Sequence, residues 1–232
     1  MESRSSVSKG PPKRQVQRAL LAWWIGAQRD FPWRNENDPF RILIAEVLLQ
    51  RSRSGTVAKV YEALFARWPD AASLAAADEA EIRSVIQPLG LTNRARYLKG
   101  AAADVAARGG VPRSVQEMVR LAGVGRYAAS ATAVNAFGER AATVDGTSAR
   151  VYRRVFGRKV DRDSAVEEDL WELVEEVTPR SSAREWNWAV LDLAAAICLP
   201  KVPRCPECPL KKVCVSGRER ISSQALPKIT NM

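Results

Sequence analysis

The sequence predicts an all-α protein built from many short helices, and three observations carry that prediction. Apolar residues return at three- and four-residue intervals, as in Val16, Leu20, Trp23, Trp24 and Ala27, the period of a helix with one buried face. No stretch alternates apolar and polar residues for long enough to make a half-buried strand. Gly90, Gly109-Gly110, Gly123, Gly125 and Gly138 punctuate the pattern at helix-length spacings. The 232 residues are 46% hydrophobic and 27% charged, enough apolar material for one large core or two small ones.

Taken in order, residues 1–14 are polar, basic and without periodicity, and are expected to form a flexible arm. The first helix is expected over Gln15 to Gln28, followed by helices over Phe40 to Arg51 and Thr56 to Trp68. Capping-box pairs open three more: Asp78 with Glu81, Ser114 with Glu117, and Ser164 with Glu167. An alanine-rich helix is expected over Tyr127 to Phe137. Composition changes near Glu139 to Thr147 and again after Asn187, where cysteine and proline accumulate. No repeat at a fixed period is present, which excludes a solenoid.

The formal net charge is +10, so the surface should attract polyanions, nucleic acid first and an acidic membrane face second. There is no histidine, which excludes a histidine triad, a histidine metal ligand and imidazole acid/base chemistry. Catalysis must then run on carboxylates, Lys, Tyr, Ser, Cys or a cofactor. No apolar run approaches the roughly 18 residues of a membrane span, and the N-terminus lacks the apolar centre of a signal peptide. A cytoplasmic protein without membrane partners is expected, nucleoid-associated if the source is prokaryotic, with cysteines reduced unless they hold a metal.

All four cysteines fall in one C-x6-C-x2-C-x5-C run: Cys198, Cys205, Cys208 and Cys214. Such crowding points to a structural zinc or a [4Fe–4S] cluster, both of which take four thiolates, and against unligated thiols. Only one C-x2-C pair is present, whereas a zinc ribbon has two. Lys201 and Arg204 lie in the intervening LPKVPR, where a metal-held loop would present them to a phosphate backbone; the plainer alternative is a solvated basic loop.

Leu121-Ala122-Gly123-Val124-Gly125-Arg126-Tyr127 reads as a tight turn between two helices, with N–H groups open at the start of the second. Such a turn suits a phosphate, although G-x-G alone is usually only a turn. Two carboxylates also stand out. Glu46 interrupts ILIAEVLL, a helix apolar on every other face, so it is buried and either satisfied by a partner or tuned as a general acid. Asp145 precedes a helix carrying Arg150, Arg153 and Arg154, either as a plain N-cap or as an ionised group able to stabilise a sugar cation or activate water. Those arginines are expected to add to a nucleic-acid footprint.

The hairpin LAGVGRYAASA, the following VDG and the four-cysteine run together resemble the helix-hairpin-helix DNA glycosylases related to endonuclease III and MutY, over about Gln15 to Cys214. The resemblance implies a bilobal all-α fold. A six-helix barrel lobe would span 30–140, and 15–29 with 141–216 would form a lobe around a [4Fe–4S] cluster, ahead of a tail at 217–232. It makes Asp145 the catalytic aspartate and the four cysteines cluster ligands. It places Gly123, Val124, Gly125, Arg126, Gln50 and Arg51 on DNA, Leu91 as a wedge, and Trp33 with Tyr127 at the base pocket. Members that also cleave the strand carry a lysine where this chain has Tyr127, so the resemblance implies a monofunctional enzyme, with Glu46 and Tyr127 assisting.

Two branches of the family compete. The adenine branch has a small hairpin residue and an added C-terminal domain, for which Val215 to Met232 is too short. The mismatch-specific thymine branch has tyrosine there, and Phe31-Pro32-Trp33-Arg34 and Glu46 to Ser52 resemble it. Gly146 is closer to the adenine branch, and Ala122 stands where the hairpin usually has proline. The implied partner is duplex DNA with a mismatched or damaged base, met by a monomer. A non-catalytic DNA-binding or redox-sensing iron–sulfur protein is the alternative of another class, against which Glu46 and Asp145 speak.

Overall fold

The computed structural model describes residues 10–90, 92–158 and 168–225. Among them every regular element is helical: α1 Lys13–Trp24, α2 Pro39–Leu49, α3 Ser54–Arg67, α4 Ala71–Ala76, α5 Glu79–Ile86, α6 Arg94–Arg108, α7 Val115–Met118, α8 Arg126–Phe137, α9 Gly146–Phe156, α10 Glu168–Val177, α11 Ala183–Ala196 and α12 Val215–Ala225. None of these is long and apolar enough to cross a membrane. The chain divides into two compact units, one of Arg29–Ala141 and one of Met1–Gln28 with Ala142–Met232.

In the Arg29–Ala141 unit, α2 is the buried centre. Asp38 caps it by accepting from the Phe40 N–H (2.9 Å), and Pro39 supplies a preset first turn. Every residue from Ile42 to Leu48 is buried, as an all-round apolar sequence requires. The small side chains of α8 let it lie against α2, burying Ala128 through Asn135. The remaining helices wrap this pair, α7 being a single turn that leads into the glycine hairpin.

In the other unit, α1 packs on α11 and α11 on α9 around Leu20, Tyr152, Trp186, Val190 and Leu193. Trp24 Nε1 donates to Asp192 (2.8 Å) and Trp186 Nε1 to the Tyr152 hydroxyl (2.9 Å). Burial, reinforced by the charge of Asp145, pushes the Tyr152 phenol well above its usual value, so it stays neutral.

Several expectations need correction. Helix α1 begins at Lys13, inside the expected arm, and stops at Trp24 because Gly26 and Ala27 close tight turns onto Trp23 and Trp24. Ser114 forms no capping box; its hydroxyl donates to Gln116 instead. The boxes that do form pair Asp70 with Ser73 and Asp145 with Ser148. The tail expected at 217–232 is helical through Ala225. The Ser164–Glu167 pair and Leu91 lie outside the described residues.

Candidate active site and nucleic-acid interface

Glu46 sits on α2 at 4% exposure, and its Oε1 accepts from Asn135 Nδ2 of α8 (3.1 Å). Tyr127, half-buried, opens the first turn of the same α8, so the α2–α8 pair carries both groups. Trp33 is a core residue at 6% exposure, stacked under the more open Phe31 with ring centroids 4.9 Å apart.

The hairpin is fixed from the side by α6. Gly123 adopts φ +72°, where an L side chain is strained, and a Cβ there would lie 2.6 Å from that of Tyr97. Asp104 accepts from the Ala122 N–H (3.0 Å), and a Cβ on Gly100 would meet that of Ala122 at 2.7 Å. Val124 is buried and anchors the turn, whereas Gly125 and Arg126 are exposed. Gln50, just past α2, donates to the Gly123 carbonyl (3.2 Å) and so ties the exit of α2 to the hairpin. Gln50 and Arg51, with Asn93, Arg94, Tyr97 and Gly123, line an open cavity of about 320 Å³.

Asp145 caps α9. Its Oδ1 accepts from the N–H groups of Thr147 (3.0 Å) and Ser148 (2.6 Å), and its own N–H donates to Ser148 Oγ (2.9 Å). The N-cap reading of Asp145 therefore holds: the cap uses Oδ1 and sets the carboxylate at the start of α9.

The four cysteines line one apolar cavity between α9, α11 and α12. Burial and then the neighbouring thiols push Cys208 up to about 12, and Cys214 also rises. Two buried thiols that resist ionisation unless a cation compensates them, with two further cysteines on the same cavity wall, suit a metal centre. Among the described residues no group of three or more His, Cys, Asp or Glu side chains is gathered for a single ion. Gly217 N–H donates to Cys214 Sγ (3.2 Å), and a Cβ on Gly217 would crowd that sulfur.

The arginines of α9 do not form the outward footprint expected of them. Arg150 donates to the carbonyls of Cys198 (2.9 Å) and Ala194 (3.2 Å), and Arg154 to those of Leu199 and Pro200 (2.7 Å each). Arg153 is buried. Arg150 and Arg154, four residues apart and so on one face of α9, supply donors to the last turn of α11 and to the segment that follows it. Lys201 and Arg204, by contrast, are exposed. Sequence reasoning missed Arg94, Asp104 and Asn135, none of which belongs to a local pattern.

Residues 44–176 match the model of the HhH-GPD superfamily base excision DNA repair proteins. The chain is 37% identical to a thymine/uracil-DNA glycosylase of Methanothermobacter thermautotrophicus, over 84% of this chain and 90% of that one. It is 32% identical to a human adenine DNA glycosylase, over 90% of this chain but 40% of that one. The solved structure of a thermostable thymine-DNA glycosylase superposes with a TM-score of 0.81 at 35% identity, covering 89% of this chain and 97% of that one. With this fold, this hairpin and these relatives, the chain belongs to the HhH-GPD superfamily of base excision DNA repair proteins and is a DNA glycosylase.

Proposed function

We propose that the enzyme is monofunctional and removes thymine or uracil mispaired with guanine from duplex DNA, by hydrolysis of the N-glycosidic bond. The observation that carries the monofunctional reading is Tyr127 at the mouth of α8: a phenol cannot form the Schiff base through which an amine cleaves the strand. The choice of base follows the relatives that match most of their own length.

Flipping the nucleotide costs a few kcal/mol and least at a mismatch, which favours T·G over T·A. Tyr127 and Trp33 meet the extruded base. Glu46 protonates the base or positions the water. Asp145 stabilises the positive charge on the sugar as the C1′–N bond breaks; water then adds hydroxide to C1′ and the base leaves with a proton. The N–H groups of Gly123, Gly125 and Arg126 hold a phosphate, that of Val124 being taken by the Leu121 carbonyl (3.2 Å); Gln50 and Arg51 contact the DNA, Leu91 is the wedge, and Lys201 and Arg204 touch the backbone. Cys198, Cys205, Cys208 and Cys214 hold a [4Fe–4S] cluster, which when bound staples the 198–214 loop. The enzyme acts as a monomer in the cytoplasm, on the nucleoid if the source is prokaryotic.

The test is a set of duplexes carrying T·G, U·G, adenine opposite 8-oxoguanine and oxidised pyrimidines, developed with and without alkali. Strand breaks only after alkali, in the T·G and U·G lanes, are expected; breaks without alkali, or only in another lane, overturn the reading. Asp145→Asn keeps the helix cap, because Asn caps as well as Asp, and removes the charge. It should bind the mismatch and lose excision. Iron with acid-labile sulfide in the purified protein is expected, and zinc without sulfide refutes the cluster.

A further inference from the structure

Arg94 opens α6 and, at 7% exposure, is with Arg153 one of two buried cations among the described residues. Its Nη1 donates to the Leu48 carbonyl (2.7 Å) and to Ser52 Oγ (3.1 Å), and its Nη2 to the Gln50 carbonyl (2.5 Å). One planar guanidinium thus grips both sides of Arg51, at the end of α2 where carbonyls lack helical partners. Arg51 has φ +56°, the single non-glycine residue with positive φ among those described. Left alone, a residue with a long side chain leaves that region, where its Cβ crowds the backbone. Its side chain is exposed and lines the cavity beside the hairpin.

We infer that Arg94 is a positioning residue: by pinning the carbonyls of Leu48 and Gln50 and the Ser52 hydroxyl, it holds Arg51 in the left-handed conformation that presents its side chain to the DNA. The inference rests on the reading of Gln50 and Arg51 as DNA contacts. A lysine keeps the charge but offers no planar fork, so it cannot hold three acceptors in this arrangement.

The full-length Arg94→Gln and Arg94→Lys variants test it by two readouts. The first is native-state trypsin cleavage after Arg51, mapped by mass and compared with cleavage after Arg67 and Arg108, which are exposed on the same unit. The second is affinity for a T·G duplex against a matched one. Cleavage after Arg51 is expected to accelerate at least tenfold with cleavage after Arg67 and Arg108 unchanged, and T·G affinity to fall at least tenfold, in both variants. Unchanged cleavage after Arg51 overturns the inference, as does faster cleavage at all three sites, which would mark Arg94 as a general pin of the fold. Unchanged T·G affinity overturns it too. Failure of the wild-type enzyme to excise thymine or uracil would sink the functional proposal alone, since neither readout depends on excision.

Discussion

Asn135 supplies what a carboxyl inside an apolar helix needs, a donor that is buried with it. An ionised carboxylate left without donors in such a place costs several kcal/mol, and each hydrogen bond to it contributes about 1.5–3 kcal/mol. The arrangement is not optimal for Asn135 itself, whose Oδ1 is buried without a hydrogen-bond partner among the described residues. Asn135→Leu removes an unsatisfied oxygen but also takes this donor from the buried Glu46 carboxyl, so thermal stability should fall by about 1–3 kcal/mol. Single-turnover excision should fall about tenfold or more, the loss of one charge-assisted bond. Equal excision rates in the two proteins would show that Glu46 takes its orientation elsewhere.

At the scale of elements, α6 braces two loops, holding the exit of α2 through Arg94 and the hairpin through Tyr97, Gly100 and Asp104. The two hairpin glycines are consequently unequal. Gly123→Ala meets both a left-handed φ and the Tyr97 side chain, a loss of about 2–4 kcal/mol. Gly125 has open space around it and an ordinary φ of −84°, so Gly125→Ala should cost under about 1 kcal/mol. Thermal melting of the two variants checks this, and equal losses would contradict it. The helices themselves were legible because period and length report burial of one face, and the crowded cysteines and hairpin glycines were visible from spacing alone. Helix ends were less so: the α1 stop is set by a turn at Gly26, and the boxes at Asp70 and Asp145 use serine where the sought pattern has glutamate. Arg94, Asp104 and Asn135 escaped because their partners lie 46, 18 and 89 residues away, and only the folded chain brings them together.

For the whole molecule, the charge of +10 is not spread evenly over a DNA-binding face. Arg94, Arg150 and Arg154 hold backbone carbonyls, while Lys201 and Arg204 stand free in solvent. The salt dependence of DNA affinity separates the two kinds of cation. Lys201→Gln or Arg204→Gln should each lower the slope of log affinity against log salt by about one, as loss of one phosphate contact does. Arg154→Gln should leave that slope unchanged and lower the melting temperature instead. A reduced slope for Arg154→Gln would return that residue to the DNA face.

The order in which the chain leaves the ribosome has its own consequence. Helix α1 is made well before its partners: Lys13 pairs with Glu176, Gln17 donates to the Val177 carbonyl (2.7 Å), and Trp24 reaches Asp192, 168 residues on. At about 5–20 residues per second, α1 waits roughly 10–30 s for α11. Residues 29–141 are complete well before that. The nascent protein therefore carries a finished middle and an amphipathic helix without its partner, and Val16, Leu20 and Trp24 are the surface a chaperone would meet during that interval.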